Sequence, residues 1–232
     1  MSLIRDNLQA VLRRIDDAVI AARRPPNSVR LLAVSKTWPA ESIEEAYAAG
    51  QRAFGENQEQ EAERKIAALV HLPIEWHFIG PIQSNKTRPI AERFAWVHSI
   101  DREKIARRLS DQRPEALGPL MVCIQVNISS EASKSGVVPA AALDLARRVS
   151  AMPRLRLRGF MAVPAPTDDI MLQRTQFRQL SQIFDDARNA GLDLDTLSMG
   201  MSDDLEAAVM EGATIVRIGS AIFGRRARPG NS

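Results

Sequence analysis

The sequence is poor in several residues that often carry stability or chemistry. It holds one cysteine, Cys123, which excludes an internal disulfide. The apolar run around it, "LMVCIQV", predicts a buried, inert thiol. It holds one tyrosine, Tyr47, in the helix-patterned "SIEEAYAAG". Only five of its 31 basic residues are lysines: Lys36, Lys65, Lys86, Lys104 and Lys134. No stretch approaches the ~18 apolar residues that span a membrane. The N-terminus lacks the apolar core and cleavage site of a signal peptide, so the chain reads as cytoplasmic. There is no low-complexity segment, long Gly/Ser linker or close repeat. No GxGxxG follows the first apolar run, which weakens a dinucleotide-binding reading. The net charge is only +3, and pairs such as Arg107/Arg108 and Arg147/Arg148 lie among acids and alanines on helical patterns. Those are solvated faces, and they argue against nucleic acid as a partner.

What is present is alternation. An amphipathic helix over about residues 2–23, with Leu8, Val11, Leu12, Ile15 and Val19 on one stripe, ends before Pro25-Pro26. Eight short apolar runs follow: "VRLLAVS", "RAFGEN", "EWHFIG", "AWVHSI", "LMVCIQVN", "LRGFMAV", "DTLSMG" and "TIVRIG". Most are separated by alanine-rich helical patterns, which predicts parallel strands with helical crossovers. Eight such units in 232 residues predict a single (β/α)8 TIM barrel over residues 1–232, with a short flexible tail at about 226–232. An open doubly wound sheet is the alternative.

Most of the runs end in polar or small residues, which a barrel would gather on its C-terminal rim, where sites are built. Among them is Lys36, closing "LLAVSK". A partly desolvated lysine there is either a rim charge or a nucleophilic amine able to form a Schiff base with a carbonyl. Two late segments suit a phosphate. In "LSMGMSDDLEAAVMEG", Gly200 permits a close turn after Ser198, and Ser202 or Asp203 opens a helix, with Asp203 and Glu206 spaced as a capping box. In "VRIGSAIFG", Gly219 and Ser220 follow the last strand and open a helical turn. Because Asp203 and Asp204 would repel an anion, the phosphate is expected on Ser198, Gly219 and Ser220. Arg217 shares a strand face with Ile215 and needs a partner: a phosphate, a carboxylate or a ring nitrogen.

Taken in order, "AVSKT", "FGENQEQE", "EWHFIGPIQSNK", "SKSG", "RGFMAVP", "LSMGMSDD" and "VRIGSAIFG" resemble the pyridoxal phosphate homeostasis family, also called YggS-like or proline synthase co-transcribed proteins. That family is similar to the N-terminal barrel of alanine racemases. The likeness runs over about residues 31–224. It implies a fold-type III barrel that holds pyridoxal 5'-phosphate as a Schiff base on Lys36, with Arg217 facing the pyridine nitrogen. It implies phosphate contacts from Ser198, Gly219 and Ser220, with Met199, Gly200 and Ser202 in the phosphate loop, and Asn57 and His77 lining the pocket. Lys134 matches a family lysine of unassigned role.

An arginine at the ring nitrogen disfavours its protonation and so weakens the electron sink of the cofactor. Racemases of this fold add a tyrosine from a second domain, whereas Tyr47 falls in an early helix and the chain as given ends at Ser232. The expectation is a monomeric carrier or regulator of pyridoxal phosphate, with PLP-dependent apo-enzymes as recipients and no robust turnover. The rivals are a racemase or other Schiff-base enzyme on the same barrel, and a cofactor-free barrel that binds RNA or a partner.

Overall fold

The computed structural model describes residues 3–129 and 135–224. Lys134 and the expected tail at 226–232 lie outside the described residues. The element order is α1 (Leu3–Ala21), β1 (Arg30–Val34), α2 (Ala40–Ala48), β2 (Ala53–Glu56), α3 (Glu59–Ala68), β3 (Glu75–Phe78), α4 (Thr87–Arg93), β4 (Trp96–Ile100), α5 (Glu103–Gln112), β5 (Leu120–Gln125), α6 (Pro139–Ser150), β6 (Leu155–Met161), α7 (Ile170–Asn189), β7 (Thr196–Ser198), α8 (Leu205–Met210), β8 (Ile215–Ile218) and α9 (Ser220–Phe223). The eight strands are parallel in sequence order, and β1 pairs with β8 to close the barrel.

Closure follows from the apolar pattern. Alternate strand residues such as Leu31, Ala33, Phe54, Trp76, Phe78, Val97, Val216 and Ile218 join the helices in one continuous outer core. The intervening residues turn inward, where two small apolar clusters sit apart from that core: Leu32, Ala53 and Ile215, and Trp96, Cys123 and Met161. Cys123 is fully buried, and burial pushes its thiol up to about 12, in keeping with an inert role. No helix among the described residues is long and apolar enough to cross a membrane.

α1 lies outside the repeating pattern and braces the far end of the chain. Asn7 donates to the Ile222 carbonyl at 2.9 Å. Arg14 forks onto Glu206 and donates to the Ser202 carbonyl at 2.7 Å, fixing the loop after β7. This alters the expected capping box. α8 starts at Leu205, Glu206 is taken by Arg14, and Asp204 accepts from the Met201 amide across the turn.

Candidate functional site

The loops at the C-terminal ends of β1, β2, β3, β6, β7 and β8 surround a cavity of about 490 Å³, within the roughly 300–1,000 Å³ usual for small-molecule sites. Lys36, Asn57, Ser202, Arg217, Gly219 and Ser220 all line it. So do Trp38 and Val163, which give it apolar walls, and Asp203.

On the β1 side, Lys36 is half-buried and sits between two anchored neighbours. Lys65 of α3, itself buried, donates to the Ser35 carbonyl at 2.8 Å, to Glu56 at 2.8 Å and to Glu61 at 2.6 Å. Ser35 adds a 2.6 Å hydroxyl bond to Glu56. Glu61 in turn accepts from the Thr37 amide. Thr37 has φ of 69°, a left-handed conformation that a β-branched residue rarely adopts. Such strain, of order 1–3 kcal/mol, persists only where neighbours over-determine it. Here the Lys65–Glu61 pair does so, and the clamp fixes the backbone on both sides of Lys36. Trp38 then stacks on Phe223 of α9 at 5.9 Å, tying the β1 loop to the β8 side. Asn57 is set by a close approach: a side chain at Gly80 would lie 2.0 Å from the Asn57 carbonyl, so only glycine lets the β3 loop rest there.

On the β8 side, Arg217 is buried, and its partners are the Ser198 carbonyl, the Ser198 hydroxyl at 2.9 Å and the Ala162 carbonyl at 2.8 Å. Desolvation lowers its pKa to about 10, against a weaker opposing pull from Asp204, so the guanidinium stays charged at neutral pH. The hydroxyls of Ser202 and Ser220 face each other across 3.3 Å at the rim. Two converging hydroxyls and a neighbouring cation form a donor set suited to phosphate. Gly200, with φ of 96°, holds the loop against α8, where an added Cβ would meet Ala208 at 2.6 Å.

Four expected site residues fall outside the cavity lining: Gly200, which shapes the loop behind it, and Ser198, Met199 and His77. Ser198 is fully buried below the cavity, its hydroxyl engaged by Arg217 and by His98, so its side chain does not face a rim phosphate. Met199 packs in the outer core, its amide donating to the Ile215 carbonyl at 3.0 Å. His77 points into the barrel interior beneath the cavity, stacked on Trp96 at 5.4 Å, and is outside the cavity lining. The period of two puts it on an inward face, one layer too deep. Sequence reasoning missed His98 and Lys65. His98 sits in "AWVHSI", where an apolar strand with an inward histidine gives a signal only once its neighbours are known. Lys65 reads as an ordinary charge on a helix.

A closed (β/α)8 barrel with a lysine, a buried arginine and paired hydroxyls at its C-terminal mouth defines the structural class. Residues 6–227 match the family described as alanine racemase, N-terminal domain, and the chain belongs to that family. Among curated relatives, it is 60% identical to the pyridoxal phosphate homeostasis protein of Pseudomonas aeruginosa, over 97% of both chains. The protein of that name in Escherichia coli K12 is 52% identical, over 97% of this chain and 98% of its own. PipY of Synechococcus elongatus PCC7942, solved with PLP bound, superposes with a TM-score of 0.78 at 38% identity, covering 90% of this chain and all of its own. Alanine racemase of Corynebacterium glutamicum shares the fold, with a TM-score of 0.75 at 18% identity over 99% of this chain and 63% of its own.

Proposed function

We propose that this chain binds pyridoxal 5'-phosphate and serves intracellular pyridoxal phosphate homeostasis as a carrier or regulator. The observation that carries this reading is one cavity lined by Lys36, Arg217 and the Ser202–Ser220 pair. The name shared by relatives at 60% and 52% identity, and the PLP-bound PipY structure, support it. The cofactor supplies an aldehyde that condenses with an amine, releasing water. Lys36 is the amine in this reading, held for attack by the clamp on its flanks. Ser202, Gly219 and Ser220 would hold the phosphate, Arg217 would serve the pyridine ring, and Asn57 would line the β2 side.

Binding without robust turnover follows from two features. The Arg217 cation disfavours a proton on the ring nitrogen, which weakens electron withdrawal. Among the described residues the cavity lining holds no tyrosine or histidine to act as a second base, Asp203 being its carboxylate: Tyr47 lies on α2 under the Arg52 guanidinium, 4.0 Å from its ring centroid, and His77 is sealed in the interior. The protein then acts as a monomer that hands the cofactor to apo-enzymes in the cytoplasm.

The test is spectroscopic. Mixing the protein with pyridoxal 5'-phosphate should give a visible absorption band that Lys36→Ala abolishes while the fold is kept. No band in the wild type, or an unchanged band in the variant, sinks the assignment. Amino-acid racemisation at an enzyme-like rate would overturn the non-catalytic half of the reading.

A further inference from the structure

A continuous hydrogen-bonded chain of side chains crosses the barrel interior from the cavity to the opposite face. Arg217 on β8 donates to the Ser198 hydroxyl on β7 at 2.9 Å. Ser198 Oγ lies 2.7 Å from His98 Nδ1 on β4, and His98 Nε2 lies 2.8 Å from His77 Nδ1 on β3. His77 Nε2 is 2.8 Å from Glu75 Oε1, which also accepts from Arg30 on β1 at 2.6 Å. The three middle members are at most 1% exposed, whereas the Glu75 side chain is 36% exposed at the barrel base.

Its ends fix its direction. A guanidinium can only donate, and a carboxylate can only accept. His77 must therefore give its Nε2 proton to Glu75, and a neutral ring then keeps Nδ1 as an acceptor. A neutral His98 donates from Nε2 to His77 and accepts on Nδ1 from Ser198, whose oxygen accepts from Arg217. A further proton on either ring would put a donor on His98 Nδ1 and reverse its bond to Ser198; with both imidazoles neutral, this one arrangement satisfies every link. Burial favours that form for both rings, against the opposing pull of Glu75 on His77. The surroundings agree: Arg30 from β1 disfavours a further positive charge on both rings, and Arg217 from β8 does so on His98. Asp195, just before β7, is taken by Arg158. β5 offers only Cys123 nearby, and β2 contributes Ala53 and Gly55.

We infer that Glu75, His77, His98 and Ser198 are positioning residues for Arg217: the carboxylate at the barrel base selects both histidine tautomers, and so holds the Ser198 oxygen as an acceptor that aims the guanidinium at the bound ligand. Such a chain strengthens each link by polarising the next in a low-dielectric interior. It couples a half-exposed carboxylate to the ring-facing side of the pocket. The inference deepens the cofactor reading above and rests on it for the ligand.

Two measurements decide it. In the full-length protein without cofactor at pH 7, ¹⁵N NMR should show His77 and His98 protonated on Nε2 with bare Nδ1. A proton on Nδ1 of either ring overturns the relay, whatever the ligand. With pyridoxal 5'-phosphate as the probe, Glu75→Gln and Ser198→Ala should each weaken binding by about threefold to tenfold, the worth of roughly one net hydrogen bond. Both should displace the visible band, and Ser198→Thr should restore it. Folded variants with unchanged affinity and band would reduce the chain to interior packing and overturn the proposal. Absence of a Lys36-dependent band in the wild type would instead refute the cofactor reading, while the NMR result still judges the relay.

Discussion

The two cations that line the cavity are held by opposite physics. The segment carrying Lys36 is pinned from outside the barrel wall by a charged cluster, Lys65 with Glu56 and Glu61. Arg217 is held from inside by carbonyls and a hydroxyl, with a carboxylate only at the far end of a neutral chain. The first arrangement fixes the backbone on both sides of a cavity-lining lysine. The second fixes the charged group itself.

The largest expected effect comes from breaking the charged cluster. Lys65→Met strands two carboxylates, one fully buried, and should cost about 3–5 kcal/mol in denaturant unfolding, as removal of one partner of a buried ion pair does. The strain at Thr37 should relax with it, so pyridoxal 5'-phosphate binding should weaken as well. Stability within 1 kcal/mol of wild type, a change of roughly surface-mutation size, would show that the cluster is dispensable. On the arginine side, Gly200→Ala meets both a left-handed backbone and the Ala208 methyl, and should cost roughly 1–3 kcal/mol.

A smaller effect separates the two sides by pH. His77 and His98 are held below 6.5 by burial, so an unfolded chain gains protons near that pH that the folded chain refuses. Stability should fall as pH drops below about 6.5. Glu75, lowered by its hydrogen bond to His77 to about 2 from 4.5, adds a loss of the same sign as pH falls from 4.5 toward 2. Glu56 runs the other way: burial raises its pKa, so its folded form keeps a proton that the unfolded chain loses as pH rises from 4.5. Urea midpoints should therefore drop between pH 7 and pH 5, and drop more steeply in Glu56→Gln, which removes the opposing response. A flat profile in both proteins would contradict the neutral histidine pair.

The barrel and its rim were largely legible in the sequence. Each apolar run from "VRLLAVS" to "TIVRIG" is a strand, and Ile215 and Arg217 share the inward face that a period of two demands. Lys36, Asn57, Ser202, Gly219 and Ser220 could be placed at one mouth because every parallel strand delivers its C-terminal end to the same rim. Depth was not legible. His77 and Ser198 lie below the cavity because strand register, not residue type, sets which layer of the interior a side chain occupies. Nor was the capping box: spacing offered Glu206 to its own helix, but Arg14 competes for it from a helix 192 residues away in sequence.

The sequence alone therefore determined the alternation, the closed parallel sheet and the lysine at the end of the first strand, because hydrophobic period and strand direction are local properties. Only the tertiary structure decided which charges meet. Lys65 reaches across to the backbone around Lys36, and Glu75 reaches Arg217 through two histidines and a serine drawn from three strands. Those partnerships depend on the register in which the strands close, and an interior of low dielectric makes each of them count.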